Sequence, residues 1–335
     1  MTQARATEEL LRVRDLSVSF VTRERTVRAV DSVSFDVRPG EVVGLVGESG
    51  CGKSVTSLAI LGLLEKPAGR ASGSIRLGER ELIGAPPSDL RRVRGNRISM
   101  IFQDPLTSLN PYLRVEQQLG EVLELHLGLR GQAARARMLE ILAQVGIPGE
   151  ERLRAYPHQL SGGMRQRVCI AMSLLCDPEL LIADEPTTML DVTIQAQILE
   201  LLRSLQKQRG MSMLFITHDL GVVSEICDRV IVMYAGRVVE HARTAELFRT
   251  PLHPYTEALL KSTPRVDVPH GGALYPIAGL PPRLSAEKLT ECAFAARCPR
   301  VREGCRDGEP ALLNAGGERL RRCIVPVAEM ERREP

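Results

Sequence analysis

Short, mainly apolar runs alternate with longer amphipathic stretches through the centre of the chain. The runs lie at residues 42–46, 97–102, 180–183, 213–217 and 230–233. Each run has the length of a buried strand, and the stretches between them have the composition of helices. Because strands that alternate with helices build parallel sheets, the pattern predicts an α/β fold with a mostly parallel, doubly wound sheet.

Three other regions depart from that alternation. Residues 16–20 and 33–37 alternate apolar and polar side chains, which predicts an antiparallel β region near the start of the chain. From residue 111 to 159 apolar residues recur every three or four positions, which predicts a helical subdomain over about 104–160. After residue 248 proline becomes frequent, which is typical of a linker or an irregular domain.

The charge balance argues against nucleic acid as a partner. The chain has 335 residues, and 44 Lys and Arg against 41 Asp and Glu give a net charge of +3. That balance does not suggest a nucleic-acid-binding surface. No apolar run reaches the roughly 18 residues of a membrane span, and the first residues lack the apolar core of a signal peptide. We therefore expect a cytosolic chain that reaches a membrane only through partners.

A phosphate-binding motif follows the run at 42–46. It consists of Gly47, Glu48, Ser49, Gly50, Cys51, Gly52, Lys53 and Ser54. The glycines let the backbone bend until successive N–H groups converge on a phosphate, and the following helix adds the partial positive charge of its N-terminus. Lys53 would reach the β- and γ-phosphates, and Ser54 would offer its hydroxyl to Mg²⁺. The motif therefore predicts a nucleotide site.

Two carboxylates, Asp184 and Glu185, follow the run at 180–183. In open α/β sheets ligands bind beyond the carboxyl ends of the strands. Asp184 would hold Mg²⁺ directly or through water, and Glu185 would orient or deprotonate the attacking water. Alone, such a pair is as often a helix N-cap. Together with the phosphate-binding motif it predicts phosphate hydrolysis.

Two more polar residues fall at the same predicted edge. His218 follows the run at 213–217, and Gln103 follows the run at 97–102. An isolated histidine is most often structural, and the glutamine could be an ordinary loop residue. Their position at the binding edge makes both of them candidates for the site.

A second anion-binding helix terminus is predicted at Ser161, Gly162 and Gly163, which open a helix over 164–176. By itself this could be an ordinary N-cap. With Leu160 and Met164, however, these residues resemble the signature of the ATP-binding cassette (ABC) family. In that family two cassettes face each other, and each ATP lies between the phosphate-binding loop of one and the signature helix of the other. The resemblance therefore implies a cassette dimer with ATP as substrate.

The resemblance covers about residues 9–245 and keeps the family's motifs in order. The matches are Walker A at 47–54, the Q-loop Gln103, the signature at 160–164, Walker B Asp184 and Glu185, the D-loop Leu190 and Asp191, and the switch His218. It implies catalytic roles for Glu185, His218 and Gln103, and Mg²⁺ held by Ser54, Gln103 and Asp184. Met164 and Met189 depart from the usual residues without removing a charge. Phe20 is the candidate to stack on adenine.

Four cysteines, Cys292, Cys298, Cys305 and Cys323, lie close together near the end of the chain. They could be inert thiols, a tetrahedral zinc site or the ligands of an iron–sulfur cluster, and spacing alone does not decide. Nearby arginines, Arg297 among them, could offset the charge of four thiolates. The other four cysteines are predicted to be small buried residues.

Further motifs indicate a subfamily. Residues 103–111, 253–256 and 277–282, with the four terminal cysteines, resemble the ATP-binding subunits of oligopeptide, dipeptide and nickel importers. This resemblance implies a [4Fe-4S] cluster at the cysteines. It also implies an ABC nucleotide-binding domain over 9–248 and a C-terminal extension over 249–335 that holds the cluster.

The leading hypothesis is therefore the ATPase subunit of an importer for oligopeptides or dipeptides, with a nickel importer as the alternative. The resemblance implies a second, related cassette, two transmembrane permeases, an extracytoplasmic solute-binding protein and a location at the cytoplasmic face of the membrane. A non-transport cassette that acts on nucleic acid or the ribosome would predict two cassettes or a long coiled coil, and neither is present in the sequence. A third hypothesis is a redox- or iron-responsive binding module.

Overall fold

The computed structural model describes residues 9–104, 108–188, 190–262, 277–282, 284 and 289–331. Met189 and the middle of the motif at 103–111 lie outside these residues. The chain divides into two compact units. The first comprises residues 1–10, 37–41 and 84–215, and the second comprises 11–36, 42–83 and 216–335.

The described residues form twelve strands. They are β1 Leu11–Val21, β2 Thr26–Val37, β3 Val42–Val46, β4 Gly69–Leu77, β5 Arg80–Glu81, β6 Ile98–Ile101, β7 Leu180–Asp184, β8 Ser212–Thr217, β9 Arg229–Tyr234, β10 Arg237–Arg243, β11 Leu313–Asn314 and β12 Leu320–Arg321. All five predicted central strands are therefore confirmed, each within two residues of its expected limits.

The described residues also form eleven α-helices. They are α1 Lys53–Ile60, α2 Pro87–Val93, α3 Val115–Leu127, α4 Gly131–Gln144, α5 Glu150–Arg154, α6 Gly162–Leu174, α7 Val192–Arg209, α8 Leu220–Ile226, α9 Thr244–Arg249, α10 Pro254–Ser262 and α11 Val327–Met330. Among the residues described, none of the helices combines the length and the hydropathy that crossing a membrane requires.

The first unit is built on the parallel strands β6 and β7. Their pairing sets Ile98 opposite Leu180 and Ile101 opposite Ala183, so the two strands end side by side. β8, of which residues 212–215 belong to this unit, is the next neighbour of β7. Every residue of β7 is buried. The register therefore delivers the residues that follow β6 and β7 to one edge.

The predicted helical region is confirmed as α3, α4 and α5, which pack against one another in the first unit. α3 buries Val115, Leu119 and Leu123, which recur at four-residue spacing, and α4 buries Met138 and Ile141. Apolar side chains at this spacing form one face of a helix, which is why the periodicity identified the region. The limits of a subdomain at 104–160 stay a prediction.

The second unit contains the antiparallel β region expected from the alternating pattern. Its strand order is β2-β1-β4-β5. β1 runs antiparallel to β4, from Leu11 opposite Leu77 to Phe20 opposite Gly69. Val13, Leu16 and Val18 of β1 are fully buried, so the apolar face of the strand lies in the core.

A second group of strands in this unit has the order β11-β12-β10-β9-β3. β3 is parallel to β9, and β9 returns as β10 through a tight turn at Ala235 and Gly236. Beyond it, β12 pairs with β10 and places Arg321 opposite Glu240. The described part of the C-terminal extension is thus joined to the same unit by main-chain hydrogen bonds.

Helix α1 ends at Ile60. The Gly62 N–H donates to the Ala59 carbonyl at 2.9 Å, and the Leu63 N–H donates to the Leu58 carbonyl at 2.8 Å. Gly62 has a φ of +62°. This pair of bonds around a left-handed glycine is a Schellman motif, which terminates helices. This turn therefore ends the helix.

Replacing Leu45 by Ala should destabilise the second unit strongly. Leu45 lies in β3 and is fully buried, whereas Leu125 on α3 exposes 73% of its surface. We expect Leu45→Ala to lower the free energy of unfolding by about 2–5 kcal/mol, because it leaves a cavity in a packed core. Leu125→Ala should change it by less than about 0.5 kcal/mol. Urea unfolding of both variants measures the difference, and equal midpoints would contradict the assigned burial.

Candidate functional site

The phosphate-binding motif forms a tight loop in the second unit, between the buried strand β3 and helix α1. Gly47 has a φ of +150°, and a Cβ there would lie 2.2 Å from the Met233 carbonyl oxygen. Gly52 has a φ of +105°, and its Cβ would lie 2.7 Å from the Ala29 carbonyl oxygen. Only glycine fits at both positions, because the neighbouring strands pass too close for a side chain. The loop path is therefore fixed by the surrounding backbone.

Lys53 is the first residue of α1 and exposes only 5% of its surface. Its Nζ donates to the carbonyl oxygens of Gly47 at 2.7 Å and Glu48 at 3.1 Å. The ammonium group therefore lies within the curve of the loop, where the sequence places a phosphate-binding lysine. Ser54 is the exposed second residue of the helix. Its part in binding Mg²⁺ stays a prediction.

The loop is also held by residues that sequence analysis did not assign to the site. The Glu48 N–H donates to the Tyr255 hydroxyl at 2.8 Å. The Glu48 carboxylate receives two hydrogen bonds from Arg297, at 2.6 and 2.9 Å. In the sequence, Tyr255 belongs to the motif at 253–256, which indicates only the subfamily. Arg297 is a candidate there to offset the charge of the cysteine thiolates. No local sequence signal connects either residue to a loop about 200 positions away.

Cys51 lies inside the loop and is buried. Its carbonyl accepts a hydrogen bond from the Gly236 N–H at 3.0 Å, which ties the loop to the turn between β9 and β10. Burial raises the pKa of the Cys51 thiol, so the side chain is a neutral filler at physiological pH.

Walker B and Q-loop candidates meet in the first unit. The Gln103 amide nitrogen donates to Glu185 Oε2 at 2.9 Å, and the Thr188 hydroxyl donates to the same oxygen at 3.0 Å. The contact with Gln103 follows from the parallel register, since Gln103 follows β6 and Glu185 follows β7. The contact with Thr188 is local, because Thr188 lies three residues after Glu185 in the same turn. Asp184 ends β7 and exposes only 4% of its surface. Thr188 was missed by the sequence analysis.

Glu185 has a φ of +46°, in the left-handed region that non-glycine residues rarely adopt. This conformation turns the chain sharply after β7. The turn is supported by the Thr188 N–H, which donates to the Glu185 carbonyl at 3.1 Å. A strained acidic residue held by two side-chain donors is typical of a functional site rather than of a helix cap.

The signature segment opens helix α6 as expected, with Ser161 as the N-cap. Its hydroxyl accepts a hydrogen bond from the Met164 N–H at 3.3 Å. Gly163 packs so tightly that a Cβ there would lie 2.9 Å from Ile194 of α7. One turn later the buried Gln166 donates to the Pro186 carbonyl at 2.5 Å. The signature helix is therefore bonded directly to the turn that carries Glu185.

Ser161 and Gly162 are exposed at the start of this helix. Helix α6 is 13 residues long and has no acidic residue in its first turn, so its N-terminus carries the partial positive charge of the helix dipole. The role of Ser161, Gly162 and Gly163 towards a nucleotide stays a prediction.

Three other candidates have defined positions but untested roles. Asp191 of the D-loop is the N-cap of α7 and accepts from the Ile194 N–H at 3.0 Å. His218 follows β8 in the second unit and is exposed. Phe20 is half-buried at the end of β1, where it pairs with Gly69. A stacking role for Phe20 and a switch role for His218 stay predictions.

The prediction of an iron–sulfur cluster at Cys292, Cys298, Cys305 and Cys323 is wrong, and the zinc alternative falls with it. All four cysteines lie within the described ranges, in which no group of three or more His, Cys, Asp or Glu side chains is placed to hold a metal ion. Cys323 packs beside the apolar cluster of Leu252, Val325 and Met330 instead.

Burial also disfavours the thiolate form of three of these cysteines. It raises the pKa of Cys292 to about 12 and that of Cys298 to about 11, and it also raises the pKa of Cys323. Metal ligation requires the thiolate, which burial disfavours. The remaining alternative from the sequence, inert thiols, fits these residues. Cys51, Cys169, Cys176 and Cys227 are buried, as predicted.

Comparison with known proteins gives two family matches on this chain. The ABC transporter model matches residues 30–188, and the model of the oligopeptide/dipeptide transporter C-terminal region matches residues 239–305.

Two curated relatives match most of the chain. The oligopeptide transport ATP-binding protein OppD of Salmonella typhimurium is 49% identical, over 96% of this chain and 95% of its own. The dipeptide transport ATP-binding protein DppD of Bacillus subtilis is 53% identical, over 87% of each chain. Among solved structures, a dimeric ATP-binding cassette in a post-hydrolysis state with ADP and Pi has a TM-score of 0.62 and 29% identity. It matches 70% of this chain and 98% of its own.

The two-sided packing of Gly47 can be tested by substitution. Gly47→Ala should destabilise the protein more than Gly50→Ala, although both glycines have positive φ. A Cβ on Gly47 would lie within 2.7 Å of both Met233 and Cys51, whereas a Cβ on Gly50 meets nothing within 4 Å. We expect Gly50→Ala to cost about 1–2 kcal/mol from backbone strain alone. Thermal unfolding of the two variants compares them, and equal losses would contradict the close approach at Gly47.

Proposed function

Because the chain belongs to the ABC transporter family and matches its peptide-transport ATP-binding members along most of its length, we propose that it is the ATP-hydrolysing subunit of an importer that takes up oligopeptides or dipeptides. One observation carries the proposal. The same chain has both the cassette region and the peptide-transporter C-terminal region, with a complete phosphate-binding loop in the first of them. The cassette would occupy residues 9–248 and the extension residues 249–335.

The loop at 47–54 is the proposed site for the phosphates of ATP. Its fit is supported by the buried ammonium group of Lys53 and by the N-terminus of α1, which together offer positive charge to an anion. Mg²⁺, when bound by Ser54, Gln103 and Asp184, would neutralise charge on the phosphates. Phe20 would stack on the adenine ring.

Glu185 is the proposed base for hydrolysis. Gln103 and Thr188 both donate to one of its carboxylate oxygens, which fixes the orientation of the group. Glu185 would take a proton from the attacking water, and His218 would complete the catalytic set.

The second half of each site is proposed to come from a partner cassette. Ser161, Gly162 and Gly163 are exposed or partly exposed at a helix N-terminus, a suitable surface for an anion on another subunit. The link from Gln166 to Pro186 would then couple the contact with that anion to the position of Glu185. The dimeric cassette among the structural relatives supports this arrangement.

The proposed assembly consists of this chain, a second cassette, two membrane permeases and a solute-binding protein on the other side of the membrane. The chain would lie at the cytoplasmic face, attached through the permeases. ATP binding would close the cassette pair and hydrolysis would reopen it.

Glu185→Gln tests the catalytic assignment. In the complex purified with its permeases, phosphate release should fall about a hundredfold or more, since a positioned base contributes at least that factor. The affinity for ATP should remain, because the amide has the same shape as the carboxylate. Glu200→Gln on the exposed face of α7 is the matched control and should hydrolyse ATP like the wild type. Unchanged turnover in Glu185→Gln would refute the assignment.

Ser161→Arg tests the dimer. In the Glu185→Gln background, saturating Mg-ATP should bring the chain and the cassette that co-purifies with it into a closed pair, detected by light scattering. Adding Ser161→Arg should abolish that pairing, because a bulky cation would occupy the place of the anion. Ser88→Arg, also at an exposed serine of the first unit, should leave it intact. Pairing that survives Ser161→Arg would exclude the signature helix from the interface.

A further inference from the structure

Arg297, in the C-terminal extension, uses all five of its N–H donors within the second unit. Nη1 donates to Glu48 Oε2 at 2.6 Å and to the Tyr234 hydroxyl at 3.3 Å. Nη2 donates to Glu48 Oε1 at 2.9 Å and to the Ile277 carbonyl at 3.2 Å, and Nε donates to the Ala278 carbonyl at 2.9 Å. The side chain exposes only 5% of its surface. A guanidinium group held at every donor has a single orientation.

Glu48 is bonded just as completely. Its N–H donates to the Tyr255 hydroxyl, and its carboxylate accepts the two bonds from Arg297. Its carbonyl accepts from Lys53 Nζ at 3.1 Å and from the Cys51 N–H at 3.3 Å. Each polar group of this residue therefore has a partner, and two of the three groups are held from outside the loop.

The outside partners rest on a rigid aromatic cluster. Tyr255 and Phe294 have ring centroids 5.4 Å apart, and Tyr234 lies 4.6 Å from Tyr255 and 5.3 Å from Phe294. The Arg297 guanidinium lies 5.8 Å from the centroid of Tyr234. All three rings are at least 99% buried. The cluster joins β9, α10 and the extension into one support beneath Glu48.

The loop needs such a support. Gly47 and Gly50 flank the Glu48–Ser49 pair and have φ values of +150° and +79°. Glycine gives a segment this path at low steric cost, but it also leaves the unbound segment with many other conformations. Ordering a loose loop on binding would cost affinity, whereas a loop already held in place avoids that cost.

We propose that Arg297 is a positioning residue for nucleotide binding, through which the C-terminal extension holds the phosphate-binding loop in its binding conformation. The inference rests on the proposed nucleotide site. It gives the extension a direct part in ATP affinity, although Arg297 lies 249 positions from Glu48 in sequence. Tyr255 of α10 shares this role. Its hydroxyl accepts from the main-chain N–H of Glu48, whereas Arg297 binds the Glu48 carboxylate.

The test measures the binding of a fluorescent ATP analogue with Mg²⁺ to the full-length chain. Arg297→Gln should raise the dissociation constant about tenfold, the effect of losing a charge-assisted bidentate pair at a binding loop. Tyr255→Phe removes only the oxygen that accepts from Glu48 and should also weaken binding. Hydrogen exchange should rise in the peptide that covers residues 47–53 in both variants.

The control is Arg302→Gln in the same extension. Arg302 is paired with Glu329 at 2.7 Å, and both side chains are more than one third exposed. Its loss should change the dissociation constant less than about twofold. A general loosening of the extension would affect both arginine variants alike, and that result would overturn the proposal.

A double-mutant cycle with Glu48→Gln locates the effect. If Arg297 acts through Glu48, adding Arg297→Gln to Glu48→Gln should weaken binding by less than about twofold. Additive losses, or wild-type affinity in Arg297→Gln, would overturn the proposal. If Arg297→Gln does not fold, Tyr255→Phe decides alone, and its wild-type affinity would count against the inference. A wild-type chain that binds no Mg-ATP would instead contradict the proposed function.

Discussion

The close approach of backbone to the phosphate-binding loop is the constraint on which the rest of the second unit depends. Gly47 and Gly52 each lie against a carbonyl oxygen of a neighbouring strand, at distances that leave no room for a side chain. The loop therefore takes its path from the strands around it. That path directs Lys53 back over the loop carbonyls and places the start of α1 behind them. The packing of the strands thus sets the position of the positive charge that would attract a phosphate.

In the first unit, the pairing of strands likewise sets the position of Glu185. Strands β6 and β7 run parallel and end together, which brings Gln103 within hydrogen-bond distance of Glu185. Helix α6 meets the same turn through Gln166 and Pro186. Three separated motifs of the sequence therefore converge on one turn of about four residues. A displacement of the signature helix would move the turn that carries Glu185, because a hydrogen bond joins the two directly.

The C-terminal extension is more closely tied to the phosphate-binding loop than its composition suggested. Its proline content predicted a linker or an irregular domain, and the resemblance implied an iron–sulfur cluster at its cysteines. Instead, β12 pairs with β10, Cys323 packs beside an apolar cluster, and Arg297 forms an ion pair with Glu48. A buried arginine with a bidentate carboxylate partner gives this segment a fixed attachment.

The sequence by itself determined the central strands, the helical region and the order of the motifs, because hydrophobic periodicity and local backbone chemistry are properties of neighbouring residues. It also singled out Lys53 and Glu185 as candidates for the site. It did not determine the partners of those residues. Thr188 and Gln166 look like ordinary helix or turn residues, and Tyr255 and Arg297 are about 200 or more positions from Glu48. The resemblance implied a cluster at the terminal cysteines, but in the described part of the chain the fold places no group of three or more such side chains to hold a metal ion. Only the tertiary structure brings such groups together, because contact between distant residues depends on the packing of whole elements.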